Sequence, residues 1–215
     1  MRPVRPALAV AAALLSACAT TRTRPEPFRC PAQGGAAWRE VTTEHFVLQT
    51  DLLSDEAHRL ARELETMRAA VLLALFRAPP ALPGRVRVVA FGSRADYATF
   101  APPKTLGIFS LSDLSEPLVL VPAPYGSVSE EVLAHELTHY VTSWTFPRQP
   151  RWFGEGIAAL AEPLADKGIE TRPVVGKIMW HRIGGARART VRVRELLAWD
   201  GAAEDSRFHD WSAIL

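Results

Sequence analysis

Residues 135–139 read His-Glu-Leu-Thr-His within a stretch of helical periodicity, and this string constrains the fold more than any other feature of the chain. Histidines at i and i+4 stand one above the other on a helix face, so both imidazoles reach a single ion. Glu136 is turned away by about a third of a turn and can touch a water at that ion without ligating it. Neutral imidazoles leave Zn²⁺ its charge, which lowers the pKa of bound water toward ~7. Glu136 can accept that proton and pass it to a leaving amine. Alone, the five-residue string is weak, because two surface histidines on an amphipathic helix also produce it.

Its surroundings sharpen it. A helix is expected from Ser127 to about Trp144, with Glu130 and Glu131 in the first turn and Val132, Leu133, Leu137 and Val141 as its apolar face. Pro147 and Pro150 then break the chain and allow it to return. Next comes Pro150-Arg151-Trp152-Phe153-Gly154-Glu155-Gly156-Ile157-Ala158, expected to be helical from near Phe153 to Pro163. A carboxylate at Glu155 completes a three-ligand site with His135 and His139 and leaves a fourth position for water.

The preceding chain supplies a sheet and a helix. Val41–Thr50 reads as a strand, and Ser54 to about Phe76 as an amphipathic helix with Leu60, Leu64, Met67, Val71 and Leu75 on one face. Arg85–Phe91 reads as a second strand. Leu118–Val121, bracketed by prolines, reads as a third and as an edge. Helices are expected over Gly176–Ile183 and Val193–Trp199. Strands come first and helices after, so the fold class is α+β rather than alternating βαβ.

Arg2 and Arg5 precede an apolar run, Ala7–Leu15, too short to cross ~30 Å of hydrocarbon. The run ends in Leu15-Ser16-Ala17-Cys18, which resembles the bacterial lipobox. Residues 1–17 are thus expected to be a lipoprotein signal peptide and Cys18 the lipidated residue. A plain signal peptide with an incidental cysteine is the alternative. Ala19 after the cysteine favours, by resemblance, the outer membrane facing the periplasm in a bacterium with two membranes. Residues 18–37 read as a tether and 38–215 as the domain; Cys30, the remaining cysteine, reads as an inert residue near the N-terminus. Removing Arg2 and Arg5 takes the 25 Lys and Arg down to 23, equal to the 23 Asp and Glu. That balance argues against a nucleic-acid partner, which selects a basic excess.

The HELTH helix followed by WFGEGIA resembles the gluzincin pattern, in which a downstream Glu is the third zinc ligand. More closely, the chain resembles bacterial peptidase-MA-like proteins. HFVLQTDLLSDEAHRLARELE is similar to that family's opening strand and helix, and VRVRELLAWD to its post-site segment, so the likeness spans about residues 38–215. It implies a zincin-like fold with an edge strand over the cleft, for which Leu118–Val121 is the candidate, pairing with a peptide substrate by β-augmentation. It also implies a hydrogen-bond donor for the developing oxyanion. His209 stands where a Tyr is expected, with a solvent-facing histidine as the alternative. Family members continue beyond Ala213-Ile214-Leu215, which reads as a helix cut short and implies a missing part of the cleft wall.

A ligating imidazole needs its other nitrogen bonded. Glu131 and Glu162 are the candidates, each with a solvated charge as the alternative. His45, His58 and His181 read as non-ligands. The leading expectation is peptide-bond hydrolysis at the cell envelope with Zn²⁺ as cofactor and Glu136 as general base. Against it stand a non-catalytic zinc-containing binding lipoprotein and an envelope assembly module.

Overall fold

The computed structural model describes residues 28–102, 105–111, 116–122, 127–165, 176, 180–200 and 206–214. The expected signal peptide, Cys18 and the first part of the tether lie outside them. Five strands form one mixed sheet in the order β1-β2-β3-β5-β4: β1 Arg39–Thr42, β2 Phe46–Thr50, β3 Val86–Phe91, β4 Ile108–Ser110 and β5 Leu118–Pro122. Seven α-helices accompany it among the described residues: α1 Ser54–Leu75, α2 Arg94–Phe100, α3 Ser127–Thr145, α4 Arg151–Ala161, α5 Trp180–Ala188, α6 Val193–Leu197 and α7 Ser206–Ser212. The α+β class therefore holds. None of the helices is long and apolar enough to cross a membrane among these residues.

Alternation along the central strands explains which face is covered. Phe46 and Leu48 of β2, Val86, Val88 and Ala90 of β3, and Val119 and Val121 of β5 are buried. The pairing sets Leu48 beside Val88 and Val88 beside Val119, so these residues form one continuous apolar surface. Helices α1 and α3 lie on it: Leu60, Leu64 and Val71 of α1 and Leu133, Leu137, Tyr140 and Val141 of α3 join the same core. Val132, expected with the apolar face of α3, packs against that core half-buried.

Three readings from the sequence change. The single strand expected over Val41–Thr50 is a hairpin, in which Val41 pairs with Leu48 and Thr42 with Val47. Thr43 makes the turn, where its N–H donates to the Phe46 carbonyl at 2.9 Å and its Oγ1 accepts the Phe46 N–H at 3.2 Å. His45 is tied down by Glu65 of α1, which accepts its N–H at 2.8 Å and meets its Nδ1 at 2.7 Å. The strands are also not simply gathered ahead of the helices, since β2 and β3 run parallel with α1 as their crossover. Finally, Leu118–Val121 is not an edge. It lies between β3, parallel, and β4, antiparallel, and the edge is β4. The flanking prolines bound the strand instead: the Pro117 carbonyl accepts the Arg87 N–H at 2.8 Å, and Pro122 closes the last rung against Phe91.

The segment read as a tether includes residues in contact with the sheet region. Phe28 meets Phe100, Trp38 and Phe91 edge-to-face, with ring centroids 5.0–6.4 Å apart. Cys30 is exposed and unpaired.

Leu137 sits on the core side of the helix that carries both histidines and is fully buried. Its replacement by alanine is expected to lower the unfolding free energy by about 2–5 kcal/mol, measured by urea denaturation. A loss below ~1 kcal/mol would contradict the packing described for α3.

Candidate metal centre

Two neighbouring helices build the site. On α3, His135 and His139 are one turn apart, with Nε2 atoms 3.0 Å from each other. The chain then reverses within five residues. Arg148 takes a left-handed conformation, φ 71°, and Gln149 is held by its Nε2 donating to Thr142 Oγ1 at 3.1 Å. Pro150, in the extended conformation that starts a helix, sends the chain back as α4. This return brings the Glu155 carboxylate against both rings, Oε2 at 3.3 Å from His135 Nε2 and Oε1 at 3.5 Å from His139 Nε2. Among the described residues, His135, His139 and Glu155 thus offer three ligand atoms within 4.8 Å of one another. The cluster could hold a metal ion.

Small residues make the approach of α4 tight. Gly154, Gly156, Ala158, Ala159 and Ala161 are buried. A Cβ at Gly156 would lie 2.6 Å from the Ser212 carbonyl oxygen, so only glycine lets α7 rest on α4 at this point. That docking carries His209 to Glu155, where its Nδ1 donates to Oε2 at 2.8 Å. Arg151, one turn before Glu155 on α4, reaches Oε1 at 3.0 Å. Trp199 underlies both side chains: the Arg151 guanidinium is 5.6 Å from its ring centre and the His209 ring meets it edge-on at 5.0 Å.

Of the two carboxylates expected to support the histidines, Glu162 meets His135. It lies on the 3-10 turn Glu162–Ala165 after α4 and accepts from Nδ1 at 3.0 Å. Arg182 of α5 grips Glu162 in turn, and its Nη1 is 3.8 Å from Asp210. The histidines read as non-ligands lie outside the cluster. His45 is bound to Glu65, His58 to the Ser54 carbonyl, and exposed His181 is 3.9 Å from Glu162. Trp144 is at the surface, 42% exposed, and Trp152 and Phe153 are half-buried.

Charge in the site is strongly organised. Burial alone would raise the Glu155 carboxyl; hydrogen bonds from His135, His139 and His209 overcome this and hold it far below the usual carboxylate range. Glu162 follows the same logic, with burial outweighed by His135 and Arg182. Burial would lower His135, but the Glu155 and Glu162 carboxylates on its two nitrogens push it up to about 9. Without a metal, His135 is therefore an imidazolium at neutral pH.

Glu136 is buried beside the sheet edge. A Cβ at Gly107, the residue before β4, would come within 2.9 Å of Glu136 Cγ and 3.0 Å of its Oε1. The absent side chain is what admits the carboxylate there.

Sequence reasoning missed Gly107, Arg182 and Asp210 and gave Arg151 no role. A signal existed for Arg151, which stands at i−4 from Glu155 on a helix. Arg182 is twenty residues past its partner, and no spacing rule connects them. Neither a protein-family model nor a curated protein sequence matches the chain.

Replacement of His135, His139 or Glu155 by alanine is expected to abolish stoichiometric metal binding, while Glu136→Gln retains it, as measured by elemental analysis after dialysis. Full occupancy in the Glu155 variant would remove it from the ligand set. A metal at this site would also displace the His135 proton, so uptake near pH 7.5 is expected to release about one proton from His135 beyond any lost by bound water. Calorimetry in buffers of differing ionisation enthalpy reads the total, and the His135 share should disappear as pH rises above 9. Without a metal, stability is expected to fall as pH rises, as read by urea denaturation across about pH 6–10. His135 is raised from 6.5 to about 9 on folding, so its stabilisation is complete below pH 6.5 and is lost as pH rises through 9.

Proposed function

We propose that the chain is a zinc-dependent peptidase of zincin-like fold, as its resemblance to gluzincin peptidase-MA-like proteins implies. One observation carries the reading: two imidazole Nε2 atoms and a buried carboxylate converge, and a second buried carboxylate, Glu136, adjoins the first ligand beside an open strand edge. Ligands at ~2.0–2.1 Å in a tetrahedral set lie roughly 3.3–3.4 Å apart. The separations of 3.0, 3.3 and 3.5 Å fit that requirement. Two nitrogens and one carboxylate are also the donor set of hydrolytic zinc sites.

His135, His139 and Glu155 would hold the ion. Zinc there supplies Lewis acidity, polarising a peptide carbonyl and making water acidic near neutral pH. Glu136 takes the proton of the attacking water and delivers it to the departing amine. Glu162 keeps the His135 tautomer with its proton on Nδ1, so that Nε2 presents a lone pair. Edge strand β4 offers its free side to an extended peptide, laying the scissile bond alongside Glu136.

His209 has a constrained part. With Nδ1–H given to Glu155, its Nε2 carries a lone pair, and the ring donates to a developing oxyanion only as an imidazolium. Its first role is to orient Glu155. A module holding zinc for structure alone would have no use for Glu136, which favours hydrolysis over a binding or assembly function. The expected signal peptide ending before Cys18, with its likeness to a lipobox, supports action at the bacterial envelope, lipid-anchored and facing the periplasm.

The test is cleavage of a mixed peptide library by the zinc-loaded protein beside Glu136→Gln. The variant is expected to lose about 10²–10⁴-fold in rate while keeping its zinc. Cleavage that survives in the variant would remove Glu136 as the base. No cleavage by either protein, with zinc bound, would replace the peptidase reading with a binding module.

A further inference from the structure

We propose that Arg182 is a positioning residue of the metal centre, acting through Glu162 to fix the His135 imidazole; this rests on the metal reading above. The Glu162 carboxylate is 5% exposed and receives the Arg182 guanidinium on both oxygens, through Nη2 on Oε1 and Nε at 3.4 Å from Oε2. A two-point grip from a planar guanidinium fixes the plane of a carboxylate, which a single contact does not. Glu162 sits on a 3-10 turn at the end of α4, and it is Oε1, the oxygen engaged by Nη2, that also accepts from His135 Nδ1 at 3.0 Å. The orientation of the ring, and so the direction of the Nε2 lone pair, passes back to Arg182.

The grip is itself anchored. Arg182 is 16% exposed, and its Nη1 faces Asp210 at 3.8 Å. Asp210 is followed back along α7 by His209, which holds Glu155 at 2.8 Å. Glu155 stands 3.3 Å from His135 Nε2. These contacts close a ring: His135, Glu162, Arg182, Asp210, His209, Glu155 and His135 again. Two consecutive residues of α7 thereby brace the two carboxylates that face opposite nitrogens of one imidazole. Arg182 hydrogen-bonds Glu162, which itself accepts from the His135 ligand, and this is its direct path to the ion site.

The experiment measures zinc affinity of the purified full chain by competition with a chromophoric chelator, together with the visible spectrum of the Co²⁺-loaded protein. Arg182→Gln is expected to weaken zinc binding about 10–100-fold and to shift the Co²⁺ bands. Glu162→Gln should do the same. The double variant should bind no more than about 3-fold more weakly than Glu162→Gln alone, since one route is being cut twice. Arg182→Lys, which keeps the charge but not the fork, should lose several-fold and less than Arg182→Gln.

Wild-type affinity in Arg182→Gln, or its full loss repeated in the Glu162→Gln background, would overturn the proposal. If Arg182→Gln does not fold, Arg182→Lys decides: a several-fold loss supports the role and wild-type affinity overturns it. Failure of the wild-type chain to bind zinc would overturn the metal reading itself, an outcome distinct from tight binding that ignores Arg182.

Discussion

The structure depends on keeping one buried carboxylate ionised. Glu155 is 2% exposed, and an isolated carboxylate so placed would cost many kcal/mol or take up a proton. It does neither, because four nitrogen-bearing side chains converge on it: His135 and His139 from α3, Arg151 from its own helix and His209 from α7. Each fixes an element. The α3–α4 reversal exists to bring the first two within reach, the face of α4 is stripped to glycine and alanine so that α3 and α7 can close on it, and α7 docks where Gly156 leaves room. A side chain at 156 would do more than crowd a helix contact; it would push away His209, the hydrogen-bond donor that helps offset the burial of its neighbour.

The same economy of side-chain volume governs the sheet edge. β4 has three residues and one partner strand, which is little pairing by itself. It is held additionally from the α3 side, where Phe109 meets Tyr140 edge-to-face at 6.3 Å. Just before it, Gly107 yields the space that Glu136 occupies. A short strand with a free side and a buried carboxylate are thus packed by one arrangement. It follows that the strand edge and the carboxylate cannot be displaced independently.

What was legible in the sequence was whatever obeyed a local period. The i, i+4 spacing of His135 and His139 and the proline break before Glu155 sufficed to find the three converging residues. The leucine repeat sufficed for α1, observed at Ser54–Leu75 against an expected end near Phe76. Contacts made across the fold were not legible. Proline at both ends of Leu118–Val121 is compatible with an edge and with a bounded interior strand, and only the pairing of the three-residue β4 decides between them. Val41–Thr50 keeps its strand composition through a reversal, so composition could not reveal the hairpin. Arg182 and Asp210 fall in segments whose charges look like any solvated helix face, and their burial is a property of how α5 and α7 meet.

The charge arrangement also bears on how the site changes when an ion enters. Metal-free, His135 carries a proton on each nitrogen and gives one to each of two ionised carboxylates, so positive charge already stands where an ion would. Were a divalent ion held by His135, His139 and Glu155, the His135 proton on Nε2 would give way to it, while the one on Nδ1 would stay with Glu162. The charge on these residues and the ion together would then rise by one unit rather than two, with Glu155 as a ligand in place of a hydrogen-bond acceptor. A site whose carboxylates are already gathered by an imidazolium needs little rearrangement to accept the ion, which is the property expected of a centre preorganised by its own packing.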